Sequence, residues 1–171
     1  MDSYKNLLII FGIVVAVVAG LVLMSRAVPI AGESDALQAS VNSTLKDLKV
    51  DEIFYNFGNI SMAAGKVSHI FRVKNLGSEA VTVSKLYTSC MCTTATLTAG
   101  GKSYGPIGMA GHGFVPKINA VVAPGEEITV EAVFDPAAHG PAGVGTIERA
   151  VYLEGNPGDT LALQFKTFVT P

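Results

Sequence analysis

From residue 50 onward the chain runs in short alternating stretches, each closed by turn residues, and no other feature constrains its fold as tightly. Successive side chains of a strand point to opposite faces, so a period of two marks a strand with one buried face. Residues 67–74 set Val67, His69, Phe71 and Val73 against Ser68, Ile70, Arg72 and Lys74. They stop at Asn75-Leu76-Gly77-Ser78, a turn by composition. Residues 53–57 end at Gly58, and residues 81–87 lead directly into a pair of cysteines. Residues 128–134 follow the turn Ala123-Pro124-Gly125-Glu126, and residues 146–153 follow a Gly-rich loop. Residues 161–169 close the chain after Asn156-Pro157-Gly158-Asp159. With residues 115–122 as a weaker run, this predicts about six or seven strands and no helix among them. Regularly spaced short strands with Gly and Pro turns point to an all-β fold, an antiparallel β-sandwich. The chain has no Trp, and its only two cysteines are one residue apart. An antibody-type core with an inter-sheet disulfide is therefore excluded.

The N-terminus is of another kind. Residues 7–24 (LLIIFGIVVAVVAGLVLM) contain no charged side chain, and a bilayer core is crossed by roughly 17–25 apolar residues. A helix apolar all round needs lipid or protein to cover it, and nothing near residue 1 does so. The expectation is a single-pass transmembrane helix at the cell membrane, with residues 1–26 as the anchor. The alternative is a cleaved secretory signal, with Ser25-Arg26-Ala27 as the cleavage site and a secreted product. Only a few residues precede the span and everything able to fold follows it, so the C-terminal domain is expected outside the cytoplasm. Residues 27–49 read as a linker. Leu37, Val41, Leu45 and Leu48 recur there at near-helical spacing, which suits a short amphipathic helix. Residues 50–171 form the domain, and about 125 residues suffice for a real core. The net charge is −2 with no basic cluster, which argues against nucleic acid as a partner.

The run Ser89-Cys90-Met91-Cys92-Thr93 is where chemistry is most concentrated. If the strand of residues 81–87 continues through it, Cys90 and Cys92 share a face and Met91 points away. Two thiols on one face make a chelate, a strained redox pair or two packed small side chains. Residues 93–124 look too long for a hairpin, are rich in Gly, and carry Met109 and His112 within Gly108-Met109-Ala110-Gly111-His112-Gly113. Long loops in compact domains tend to be functional or disordered. A second Gly/Pro-rich loop, residues 135–145, carries His139. Two of the three histidines thus lie in loops able to fold over one end of a sandwich, while His69 sits on an alternating strand and reads as packed or surface.

The motifs Phe54-x-x-Phe57-Gly58-x-Ile60, Gly65-Lys66-Val67-Ser68-His69-x-Phe71-x-Val73-Lys74-Asn75-x-Gly77 and Ser89-Cys90-x-Cys92-Thr93 occur in that order. With Ala123-Pro124-Gly125-Glu126 and Val133-Phe134-Asp135, this pattern resembles a bacterial Ig-like domain family of unknown function. The family is distantly similar to the Hydin-type Ig-like domains of cilia and centrosomes. The resemblance covers about residues 50–169 and implies an Ig-like sandwich, exported or tethered, with no established activity. Met91 stands where the family usually has Gly, and the loops of His112 and His139 are longer than its usual connections.

Three functional readings follow. Cys90, Cys92, His112 and His139, with Met109 as an extra ligand, would build a metal site. Two thiolates and two imidazoles suit zinc, and the addition of a thioether suits Cu(I). Cys90 and Cys92 would alternatively form a reversible disulfide, strained at this spacing and therefore easily reduced. In the third reading the domain is a non-catalytic adhesion or assembly module for a protein partner in the cell envelope, and its cysteines are packed as small hydrophobes. No nucleophile elbow or second catalytic motif accompanies Ser89, Asp135 or Glu148, so the expectation is a protein that is not an enzyme.

Overall fold

The computed structural model describes residues 45–155 and 159–171. The expected membrane span at 7–24 and most of the 27–49 linker lie outside them. Among the described residues no helix is long and apolar enough to cross a membrane.

The described residues form β1 (Leu48–Val50), β2 (Phe54–Ser61), β3 (Val67–Asn75), β4 (Val81–Val83), β5 (Lys85–Thr88) and β6 (Thr93–Ala99). These are followed by β7 (Lys102–Ile107), β8 (Ala120–Val122), β9 (Glu127–Phe134), β10 (Gly145–Glu154) and β11 (Thr160–Thr170). One sheet has the order β1-β3-β9-β6-β7 and the other β2-β11-β10-β5, while β4 and β8 pair separately. The first sheet is antiparallel throughout. The second departs from the antiparallel expectation at one edge, where β2 runs parallel to β11. Neither sheet closes on itself, so the architecture is sandwich-like.

Alternation explains which faces meet. In β9, at the centre of the first sheet, Ile128, Val130, Ala132 and Phe134 are buried while Glu127 is exposed. Phe134 meets Phe165 of β11 with ring centroids 5.5 Å apart, which joins the two sheets. His69 of β3 stacks on Tyr55 of β2 at 3.6 Å, with its Nε2 3.3 Å from Glu52 Oε2. Its role is packing, as its strand position suggests. Phe71, Phe165, Leu86, Leu97, Ile128 and Leu153 are fully buried, each contributing about 1.5–3 kcal/mol in transfer free energy. Asn75 is also fully buried, and it is satisfied. Its Nδ2 donates to the carbonyls of Glu79 and Val122 at 2.8 and 3.0 Å, and its Oδ1 accepts from Gly77 N at 2.9 Å.

Three expectations need correcting. The run 81–87 is two strands in different sheets, because the chain breaks at Ser84, whose hydroxyl and amide bond Glu154 O. Residues 93–124 are not one long loop. Thr93–Ala99 buries every second residue, Thr93, Ala95, Leu97 and Ala99, with threonines between them, and it turns back into β7 through Gly100-Gly101. Both glycines have positive φ, 55° and 74°, as a two-residue hairpin turn matched to strand twist requires. What remains of the loop is residues 108–119. Lastly, the strand pleat does not continue through the cysteines.

Candidate metal centre

Cys90, Met91 and Cys92 form the turn by which the chain leaves β5 in one sheet and enters β6 in the other. Thr93 N donates to Cys90 O at 3.1 Å across it. Three contacts hold the turn. The buried Thr88 hydroxyl is shared between the carbonyls of Cys90 and Thr93 at 3.0 and 2.9 Å. Ser89 exchanges bonds with Ala150, N to O at 2.9 Å and Oγ from N at 2.9 Å, which extends the pairing of β5 with β10. Asp135 N donates to Cys92 O at 2.9 Å, tying the end of β9 to the same turn. The thiols therefore converge through a clamped reversal and not through the pleat. Both are buried, while Met91 is 55% exposed.

The contact from Asp135 also positions His139. Asp135 Oδ1 accepts from Ala137 N at 2.9 Å, and Ala138 N and Gly140 N close successive tight turns. Gly140, with φ of 55°, opens a short 3-10 helix, Gly140–Gly143. This brings His139 Nε2 to 3.3 Å from Cys90 Sγ. The donor atoms of Cys90, Cys92 and His139 all lie within 4.8 Å of one another. Among the described residues no other group of three His, Cys, Asp or Glu donors is so close. His112 is exposed and not a member of it. Met109 pairs through its backbone with Thr88, two residues before Cys90.

One residue of the site escaped the sequence reading. Arg149 Nε donates to Cys92 Sγ at 3.3 Å, and its Nη1 to Glu148 O at 2.7 Å. It lies on β10 in phase with Ile147, Val151 and Leu153, the inward side of the strand. A cation in the buried phase of a period-two run was the available signal.

The electrostatics of the thiols are unequal. Burial pushes Cys90 up, but bonds from the Cys92 thiol and amide, the His139 ring and the Arg149 charge outweigh it and bring the thiol to about 7. Burial, reinforced by the neighbouring Cys90 sulfur, holds Cys92 above its ordinary value. Burial works against the charge of Arg149, yet its bonds to the sulfurs raise its pKa overall. The pair thus sheds its first proton readily and its second with difficulty. Both cysteines are free. Two sulfurs and one imidazole are the donors from which soft-metal sites are made.

A family model described as protein of unknown function (DUF1573) matches residues 48–105. The match takes in both cysteines and most of the first seven strands; His139 and Arg149 lie beyond it. No curated protein matches the sequence. Among solved structures, the chain is similar to a protein of unknown function from Porphyromonas gingivalis W83, with TM-score 0.51 and 11% identity over 71% of this chain and 46% of that one. The chain thus spans less than half the length of that protein, and at this identity the likeness is one of fold alone. Weaker likenesses are to the secreted serine protease VesC from Vibrio cholerae (TM-score 0.47, 11% identity, 74% of this chain and 25% of that one) and to the ASH / PapD-like domain of human CEP192 (TM-score 0.40, 12% identity, 84% and 92%).

Proposed function

We propose that the chain is a non-catalytic metal-binding protein of the cell envelope, an Ig-like domain held outside the cytoplasm by a membrane anchor at residues 7–24. Cys90, Cys92 and His139 would take a zinc or copper ion. The observation that carries this reading is the convergence of three donors, from a turn between sheets and from a separate loop, to within 4.8 Å. Burial of the sulfurs supports it, since a dry wall around thiolates limits exchange with water. Met109, whose backbone pairs with Thr88 two residues before Cys90, is the candidate for a further soft donor. The test is elemental analysis of the full chain, purified in detergent without affinity metals, beside a Cys90→Ser/Cys92→Ser variant. About one zinc or copper per wild-type chain, lost in the variant, is expected. Equal metal in both refutes the reading.

A second reading is a reversible Cys90–Cys92 disulfide, favoured by the readiness of Cys90 to form a thiolate at about 7. It predicts two oxidised thiols per chain after exposure to a thiol–disulfide buffer, and recovery of both on reduction. Two thiols that stay free throughout exclude it.

A further inference from the structure

We infer that the site selects Cu(I) over Zn(II), and that the charge of Arg149 makes the selection. This rests on the reading of Cys90, Cys92 and His139 as ligands. Arg149 is a cation on the inward phase of a strand, between Ile147 and Val151. Among the described residues no carboxylate lies within ion-pair distance of it. The nearest in sequence, Glu148, pairs its carboxylate with Lys166 at 3.7 Å. The guanidinium is instead directed at Cys92 Sγ, 3.3 Å away. A partly buried cation without a carboxylate is costly unless another anion faces it, and the Cys92 sulfur that faces it becomes one as a metal-bound thiolate.

The charge balance then separates the two ions. Two thiolates and a neutral imidazole carry two negative charges. Zn(II) neutralises them and leaves the charge of Arg149 uncompensated beside the ion. Cu(I) leaves one negative charge, and Arg149 cancels it. His139 is exposed and Arg149 half-buried, but both sulfurs are buried, and beside them the neutral arrangement is favoured over the one with a net charge. Three protein donors of the Cys2His kind are compatible with an open zinc site as well as with Cu(I), which thiolates favour. With the donors that the described residues bring together, the charge of Arg149 is therefore what separates the two ions. Binding forms two Cu–S bonds, releases to solvent the thiol protons still present (that of Cys92 and the protonated fraction of Cys90), and transfers no electron. The ion must arrive already reduced.

The test uses the full chain in detergent, under anaerobic conditions. Cu(I), supplied as its acetonitrile complex, is titrated in competition with a chromogenic Cu(I) chelator, and Zn(II) in competition with a zinc dye. Wild type, Arg149→Gln and Arg149→Lys are compared. Wild type should retain Cu(I) against an equal concentration of Zn(II). Arg149→Gln should weaken Cu(I) by about 10–100-fold while leaving Zn(II) binding unchanged or tighter. Arg149→Lys, which keeps the charge, should recover most of the Cu(I) affinity. A wild type that prefers Zn(II) overturns the inference and leaves the metal reading standing. Equal losses for both ions in Arg149→Gln overturn it as well, since a merely structural residue would act that way. A wild type that binds neither ion removes the metal reading itself.

Discussion

The unequal thiols make a quantitative prediction for the metal-free protein. If Cys90 titrates at about 7 in place of its ordinary 9.0, about 90% of it is thiolate near pH 8, where an ordinary thiol is about 10% ionised. Cys92, pushed up by burial, contributes little at that pH. The thiolate ultraviolet absorption of the reduced, chelator-treated chain should therefore correspond to about one sulfur near pH 8. In Cys90→Ser that band should shrink, because burial, the largest cause of the raised Cys92 value, remains while the contribution of the Cys90 sulfur is removed. The folding consequence has a definite sign. A thiol whose folded value lies below its unfolded one adds stability as pH rises from about 7 towards 9.0, and that stability is lost on acidification through about 7. Cys92, shifted the other way, withdraws stability at still higher pH. Absence of thiolate absorption near pH 8, or an unchanged band in Cys90→Ser, would refute the assignment of the first proton to this cluster.

Two further outcomes test the scaffold. Asn75→Leu removes the partner of the buried Val122 carbonyl, the part-buried Glu79 carbonyl and the Gly77 amide, so urea denaturation should show a loss of about 2–4 kcal/mol; a loss under about 0.5 kcal/mol would contradict that role of the side chain. At Gly105, with φ of 139°, an added Cβ would fall 2.6 Å from Ala95 O and 2.9 Å from Thr96 Cα. Gly105→Ala should lower the melting temperature through a cost of about 1–3 kcal/mol, with the Cys90 titration unmoved because β7 carries no part of the cluster.

The all-β class was legible because period-two burial is a local property. Residues 67–74, 128–134 and 161–169 each announce a strand, and each is one. The hairpin of β6 and β7 was missed because Thr-Thr-Ala-Thr-Leu-Thr-Ala has little hydrophobic contrast, and its glycines were read as loop and not as the turn that Gly100-Gly101 makes. The sheet switch at Ser84 was illegible for another reason. It depends on Glu154, far along the chain, accepting from the Ser84 amide and hydroxyl.

Composition and pattern alone determined that this chain pairs short strands, that its two cysteines lie one residue apart, and that His139 sits in a loop free to approach them. Only the tertiary structure decided that the sulfurs meet in a turn between sheets, that His139 and not His112 is within reach of Cys90, and that Arg149 faces Cys92. Those three facts rest on pairings between residues tens of positions apart: Ser89 with Ala150, Asp135 with Cys92, and Arg149 with the Cys92 sulfur it faces. Alternation tells a residue which face it occupies. Which partner shares that face is settled by sheet order and register, and these are set by the packing of the whole domain.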